Sequence, residues 1–205
     1  MLYVSSLLWK PNSHSYAFSS YYDESWVDKL YRGFKRNLSV PFEFVLFTDR
    51  KRKFEEPVTQ ELLERHPITY GSCIEPYKLD KPMILVGLDT LIIRNIDHFA
   101  KYCLTKKRVA VPIDPYHKER VCNGVALVPA GNRSIYDAWD GRNDMEMIRQ
   151  ASNIDHLDDL FPGEVLSYKV HIRGKGVPRS CRIVYFHGKP KMNNVGDDVV
   201  WDNWK

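Results

Sequence analysis

Residues 82–97, PMILVGLDTLIIRNID, are the stretch that predicts the centre of the fold. Residues 83–87 and 91–93 form short apolar runs without the alternation of a half-exposed strand. Such runs are typical of strands that are buried on both faces. Asp89 lies between the two runs, and an ionised carboxylate inside a core is costly unless it is paired or binds a cation. We therefore expect Asp89 at the point where a central strand leaves the core.

Two interpretations of Asp89 follow from that position. In an open α/β sheet, ligands bind beyond the carboxyl ends of the strands, so Asp89 could hold a metal ion or a sugar there. Alternatively, Asp89 is an ordinary turn or cap residue. The stretch by itself leaves both interpretations open.

The length and composition indicate one ordinary globular domain. The chain has 205 residues, of which 43% are hydrophobic and 27% are charged. Its apolar runs are far shorter than the roughly 18 residues of a membrane span, and MLYVSSLLWK lacks the basic region of a signal peptide. The four cysteines are widely spaced without a CxxC pair, which argues against a zinc site or a disulfide framework. We expect a cytoplasmic protein with reduced thiols and no membrane span.

Positive charge is concentrated in residues 165–196, which we call the basic segment. This segment holds seven Lys and Arg residues and no acid, whereas the rest of the chain holds 23 basic and 26 acidic residues. A local positive field suits a ligand that carries phosphate. A solvated basic face is the alternative interpretation. Nucleic-acid binding is a weaker one, because the segment offers few aromatic side chains on which bases could stack.

The order of elements predicts an α/β fold. Strands are predicted at residues 2–8, 42–50, 108–113, 122–129 and 183–186, around the central stretch, with a short one at 68–70. Helices are predicted at residues 21–37, 58–65, 132–139 and 144–151, with another beginning at 95–101, and residues 10–20 read as a loop. Strands that alternate with helices favour a mostly parallel sheet flanked by helices in a single domain.

Four segments carry a resemblance to a known family. They are KPMILVGLDTLIIRNID, VCNGVALVPAGNRSIYDAW, LFPGEVLSYKVH and RIVYFHGKPK, in that order along the chain. Together they resemble a small glycosyltransferase of the GT-A type, similar to glycosyltransferase family 8 and its compact bacterial and viral relatives. The resemblance covers nearly all of residues 1–205 and implies one Rossmann-like GT-A domain that transfers a sugar from a nucleotide sugar.

The resemblance implies a divalent metal site. The family has Asp-x-Asp after its central strand, where two carboxylates and a histidine bind Mn²⁺ or Mg²⁺ on the nucleotide diphosphate. Asp89 matches the second acid and His187 the histidine, but the first acid is replaced by Gly87. A single carboxylate would bind the metal weakly, unless Asp114 or another acid stands in. A turn histidine that is hydrogen-bonded to backbone is the alternative for His187.

Further residues are assigned to the nucleotide sugar by the same resemblance. The base, ribose and diphosphate would contact residues at strand ends, in the loop before the central strand and in the basic segment: Ser5, Ser6, Thr48, Asp49, Lys78, Gly188, Lys189 and Lys191. The donor sugar would contact Asn123 and Gly124, and Asp144 and Glu146 would be the catalytic acids. Cys122 stands where the family has its asparagine, and Met145 replaces the glutamine of the Asp-Gln motif. The two acids also suit an ordinary helix N-terminus.

The expected function is therefore transfer of a sugar, most simply from a UDP-sugar, to an acceptor that the sequence does not identify. A degenerate relative that binds a nucleotide or a glycan without turnover is the alternative, favoured by Gly87 and Met145. We expect no nucleic-acid partner.

Overall fold

The computed structural model describes residues 1–205, apart from the side chain of Phe18, and its ten strands form two sheets. The strands are β1 (Leu2–Leu8), β2 (Phe42–Thr48), β3 (Thr59–Leu62), β4 (Met83–Val86), β5 (Thr90–Ile92), β6 (Val109–Val111), β7 (Val125–Val128), β8 (Ile154–His156), β9 (Val165–Ser167) and β10 (Ile183–Tyr185). The main sheet has the order β3-β2-β1-β4-β7-β6-β8, and the small sheet has the order β5-β10-β9.

The main sheet is mostly parallel, as the sequence predicts. Strand β1 runs parallel to β2 and β4, β2 runs parallel to β3, and β6 runs parallel to β8. Only β7 is reversed among these seven strands, and it pairs antiparallel with β4 and β6. The continuous apolar run of β4 is fully buried, because both faces of the sheet are covered. This mixed α/β architecture is compatible with a Rossmann-like fold.

The strand order changes direction between β1 and β4. From β1 the chain adds β2 and then β3 on one side, and it returns to place β4 on the other side of β1. Because the carboxyl ends of β1 and β4 lie side by side at this switch point, a crevice opens there. The predicted position of Asp89, just beyond β4, is therefore at this edge of the sheet.

The helices pack around the sheets. They are α1 (Tyr16–Ser19), α2 (Glu24–Asn37), α3 (Asp97–Thr105), α4 (Ser134–Asp137), α5 (Asp144–Gln150), α6 (Leu157–Leu160) and α7 (Asp198–Asn203), with 3₁₀ turns at Tyr70–Leu79 and Met192–Asn194 and a π turn at Tyr168–Ile172. Helix α2 is the longest α-helix, and it buries Trp26, Leu30 and Phe34 at the predicted spacing. Its N-cap is Asp23, whose carboxylate accepts from the backbone N–H of Ser25 at 3.0 Å.

Two predicted elements are wrong. Residues 58–65 were expected to form a helix, but Thr59–Leu62 form the edge strand β3, which pairs with β2. The polar sequence TQEL has no buried face of its own, so pairing with the neighbouring strand decides its conformation. Residues 68–70 do not form a strand, because Thr69 caps the 3₁₀ turn through a capping box with Ser72.

Short elements were missed for a simple reason. Helix α1 lies within the predicted loop of residues 10–20, and strands β8 and β9 have only three residues each. Elements of that length are too short to show a hydrophobic period. The four cysteines are free thiols, as expected. No helix in the described part of the chain has the length and apolarity that a membrane crossing requires.

Candidate functional site

A cavity of about 310 Å³ opens at the carboxyl ends of β1 and β4. Its lining comes from the end of β1, the turn after β4, the residues before β7, the start of α5 and the turn after β10. The lining residues include Leu7, Leu8, Trp9, Tyr22, Tyr70, Gly87, Leu88, Asp89, Asn123, Gly124, Asp144, Met145 and His187. The position is the one where open α/β sheets bind their ligands.

Asp89 is held by two donors in this cavity. Its Oδ2 accepts a hydrogen bond from the Tyr22 hydroxyl at 2.9 Å and forms an ion pair with the Lys191 ammonium. The side chain of Asp89 is 14% exposed and that of Lys191 only 4%, so this ion pair lies largely out of water. Burial, and then the charge of Asp89, raise the pKa of Tyr22. The phenol therefore keeps its proton and stays a donor to Asp89.

Gly87 lies directly beside the same carboxylate. Its backbone N–H donates to the carbonyl of Gly124 at 3.1 Å, which ties the turn after β4 to the residues before β7. A Cβ atom at position 87 would lie 2.8 Å from Oδ1 of Asp89, closer than real Cβ contacts allow. The absence of a side chain here is what leaves room for the Asp89 carboxylate in its present position.

His187 lies in the same cavity with its ring held on several sides. Its Nε2 lies 2.7 Å from the Ser167 hydroxyl, and its ring contacts those of Tyr185 and Tyr116. Burial lowers the pKa of His187, and the nearby Lys169 ammonium lowers it further. The neutral imidazole is therefore favoured, which suits either a hydrogen-bonding role or a metal ligand.

The donors around Asp89 and His187 do not fit the divalent metal that the resemblance implies. Among the residues whose side chains are described, no group of three or more His, Cys, Asp or Glu is arranged to hold a metal ion. The Asp89 carboxylate already binds a resident ammonium. Asp114, the acid that could have stood in for position 87, is paired with Arg149 at 3.1 Å and accepts from the Tyr116 backbone. Binding of Mn²⁺ or Mg²⁺ stays a prediction, and the described side chains offer no set of ligands for it.

Lysines of the basic segment surround His187. Gly188 has a φ of +61°, and a Cβ atom there would lie 3.2 Å from Nζ of Lys169. The Lys189 ammonium lies over the ring of Tyr21, 5.8 Å from its centroid. Lys169 belongs to the basic segment, yet no sequence motif singled it out as a site residue. The structure places it beside the predicted residues Gly188 and His187.

Asn123 and Asp144 form a polar pair on the cavity wall. Nδ2 of Asn123 donates to Oδ2 of Asp144 at 3.1 Å. Burial raises the pKa of Asp144, although the Asn123 hydrogen bond and one from the Met145 backbone oppose the shift. Glu146, the other predicted catalytic acid, is exposed on α5 and does not line the cavity. Of the two acids, only Asp144 is brought to the other predicted residues.

The two serines of β1 lie outside the cavity lining. Ser5 donates to the carbonyl of Val45 at 3.1 Å, and Ser6 donates to the carbonyl of Val86 at 2.8 Å. Both are completely buried between strands. They satisfy their hydroxyls against the sheet, because β1 is central and has neighbours on both sides.

Thr48, Asp49 and Lys78, which were also predicted to bind the nucleotide, lie outside the cavity lining. Thr48 accepts from Arg52 at 2.9 Å, and Asp49 forms an ion pair with Arg52 at 2.6 Å. Burial acts to raise the pKa of Asp49, but the hydrogen bonds and charges around it lower it overall. Lys78 is paired with Glu64 at 2.8 Å. These side chains hold the loops that follow β2 and β3.

The aromatic wall of the cavity was not predicted from the sequence. Trp9, Tyr22 and Tyr70 line it, together with Ser19 and Cys73. Trp9 donates from its indole nitrogen to the Ser15 hydroxyl at 2.8 Å, and the Tyr70 hydroxyl donates to the Ser15 carbonyl at 2.6 Å. Both rings are thus held by the loop after β1. Trp9, directly after the central strand β1, was the available sequence signal.

Comparison with known proteins adds no family to this picture. The chain matches no protein-family model and no curated protein sequence.

Proposed function

We propose that the protein is a GT-A-type glycosyltransferase that transfers a sugar from a UDP-sugar to an acceptor hydroxyl. One observation carries the proposal. Asp89, Asn123 and His187 come from three of the four segments that resemble the family, and they line one cavity at the switch point of the sheet. Ser167, from the remaining segment, lies within hydrogen-bond distance of His187. Segments chosen for their resemblance alone would have no reason to meet in one place.

The cavity has the character of a nucleotide-sugar site. Its wall is largely apolar and aromatic, with a few polar side chains that converge from different elements. Trp9 and Tyr70 offer a surface for the uracil ring, and the lysines around His187 offer positive charge for the diphosphate. Asn123 and Asp144 offer hydrogen bonds to the hydroxyls of the donor sugar.

In the proposed reaction, the bond between the anomeric carbon and the diphosphate breaks while the acceptor oxygen bonds to that carbon, and the acceptor hydroxyl gives up its proton to water or to the departing diphosphate. Negative charge grows on the departing UDP, and the lysine ammonium groups stabilise it. Asp144 orients the sugar through its hydroxyls, assisted by Asn123. The acceptor is a glycan, a protein or a small molecule.

A binding protein without turnover is the second candidate function. It is favoured by a specific feature, because Gly87 and Met145 replace two polar residues of the family pattern and both lie on the cavity wall. Such a protein would use the same cavity and the same contacts, but it would not cleave the donor.

The two candidates are separated by a ligand screen followed by a turnover assay. Thermal unfolding of the full chain is measured with a panel of nucleotide sugars, each with and without Mn²⁺, because a ligand that binds the folded state raises Tm. If the proposal is correct, UDP or a UDP-sugar raises Tm. The protein also releases UDP from a UDP-sugar that stabilises it. Stabilisation without any hydrolysis or transfer indicates the binding protein. The absence of any shift contradicts both candidates.

A further inference from the structure

The contact between Lys191 and Asp89 is buried and joins distant parts of the chain. The two residues are 102 positions apart, and their side chains are 4% and 14% exposed. Charges that are taken out of water in this way are retained only when they are paired and further hydrogen-bonded. Here the Tyr22 hydroxyl provides an additional hydrogen bond to the same carboxylate oxygen. The cluster of Tyr22, Asp89 and Lys191 is therefore a built polar site and not a surface ion pair.

This cluster occupies the place that a bridging metal would need. A divalent ion that joined Asp89 to a diphosphate would have to displace the Lys191 ammonium or lie against it as a second cation. A second carboxylate is also not accommodated at position 87 while Tyr22 and Lys191 hold Asp89 in place, because a Cβ atom there would lie 2.8 Å from the Asp89 carboxylate. Both features oppose a metal for reasons of charge and space.

From this geometry we infer that Lys191 is the resident cation of the site. Its ammonium neutralises Asp89, a cavity-lining carboxylate that would otherwise repel a diphosphate, and so takes the charge-balancing part that a divalent ion would have there. Lys169 adds positive charge beside His187, since its Nζ lies 3.2 Å from where a Cβ of residue 188 would be. The site therefore binds a nucleoside diphosphate without a divalent metal. This inference rests on the proposed function, because it concerns the diphosphate of the same donor.

The first experiment measures UDP binding to the full chain by calorimetry, once in EDTA and once in excess Mn²⁺. The expected result is binding in both, with Kd values within about twofold. Binding that requires Mn²⁺ overturns the inference and leaves the proposed function standing. No binding in either buffer overturns the proposed function and the inference with it.

Variants then test whether Lys191 itself supplies the charge. Lys191→Met keeps the length of the aliphatic stem and removes the ammonium, so UDP binding in EDTA should weaken by at least about tenfold, because each factor of ten is only 1.4 kcal/mol of binding free energy. Mn²⁺ should restore part of that loss, because the Asp89 carboxylate is then open to a cation. A purely structural role for Lys191 would not create a metal dependence that the wild type lacks.

Two further variants keep this test decisive. Asp89→Asn combined with Lys191→Met leaves no buried charge unpaired and so protects the fold. It should bind UDP in EDTA more tightly than Lys191→Met does, because no carboxylate then repels the diphosphate, and Mn²⁺ should not change its affinity. Lys101→Met removes one positive charge from an exposed position on α3 and should bind UDP like the wild type. Wild-type binding by both Lys191 variants in EDTA overturns the inference.

Discussion

The side-chain amide of Asn123 donates to Oδ2 of Asp144 across 3.1 Å and so joins the residues before β7 to the first turn of α5. The other end of the same amide, Oδ1, is buried and has no partner among the described residues. An unsatisfied buried acceptor costs about 1–3 kcal/mol. A ligand hydroxyl that donated to Oδ1 would recover part of that cost. A sugar hydroxyl would therefore gain binding free energy at the pair of Asn123 and Asp144.

The first prediction separates the two acids of α5. Asp144→Asn should weaken binding of the UDP-sugar by roughly fivefold, because one hydrogen bond to the sugar is worth about 1 kcal/mol, while binding of UDP should change little. Glu146→Gln should bind both ligands like the wild type, because Glu146 is exposed and lies outside the cavity lining. Calorimetry with UDP and with the UDP-sugar measures the difference. Equal losses for both ligands in Asp144→Asn would contradict a sugar contact.

The second prediction concerns pH and follows from the raised pKa of Asp144. Burial raises this pKa above its ordinary value of 3.8. The folded state thus holds the Asp144 proton more tightly than the unfolded chain does. Its contribution to stability is fully present below the unfolded pKa and is lost as the pH rises through the folded pKa.

Asp144→Asn removes this titration and provides the measurement. The free energy of unfolding is obtained from urea denaturation of both proteins between about pH 3 and pH 8. The wild type should lose stability relative to the variant as the pH rises above about 4, and the difference should level off once Asp144 is ionised. A difference that is constant over the whole range would show that the pKa of Asp144 is unshifted.

The strands that build the core could be predicted because their sequences are continuously apolar. β4 and β7 read as MILV and VALV, and both are buried along their whole length. The edge strand β3 could not be predicted in the same way, since its residues TQEL are polar and its conformation depends on pairing with β2. Local pattern therefore determines the centre of the sheet better than its edge.

The sequence was enough to predict which motifs line the site. It was not enough to predict which side chains contact one another within the site. Asp89 and His187 were predicted to follow strands, Asn123 was assigned by resemblance to a sugar-binding loop, and all three line the cavity. The Tyr22 partner of Asp89 lies 67 residues away in sequence, and no spacing encodes such a contact. Ser5 and Ser6 were placed in the same way as Asp89, but they lie within β1, where the neighbouring strands take up their hydroxyls.

The third prediction tests the aromatic wall. Tyr70→Leu should weaken the binding of uridine and of UDP by similar factors, roughly tenfold, because stacking of a base on an aromatic ring is worth about 1–3 kcal/mol. Tyr70→Phe keeps the ring and removes the hydroxyl that donates to the Ser15 carbonyl, so it is the matched control. Pyrophosphate, which has no base, should bind both variants like the wild type. A loss of pyrophosphate binding in Tyr70→Leu would indicate a distorted cavity instead of a lost base contact.

The last prediction concerns the position where the family pattern has its first acid. Gly87→Asp should lower the free energy of unfolding by about 1–3 kcal/mol, the usual cost of overpacking, because its Cβ would lie 2.8 Å from a carboxylate that Tyr22 and Lys191 hold in place. Gly33→Ala is the matched control, since its Cβ would meet Ile92 at an ordinary 3.7 Å, and alanine is favoured over glycine within a helix. Urea denaturation measures both.

Gly87→Asp should also gain no affinity for Mn²⁺ by calorimetry while Lys191 remains. Gly87→Asp combined with Lys191→Met should gain it, because Asp89 is then free to share a cation with the new carboxylate. Tight Mn²⁺ binding by Gly87→Asp alone would show that the Lys191 ammonium leaves Asp89 readily, and that position 87 can complete a metal site.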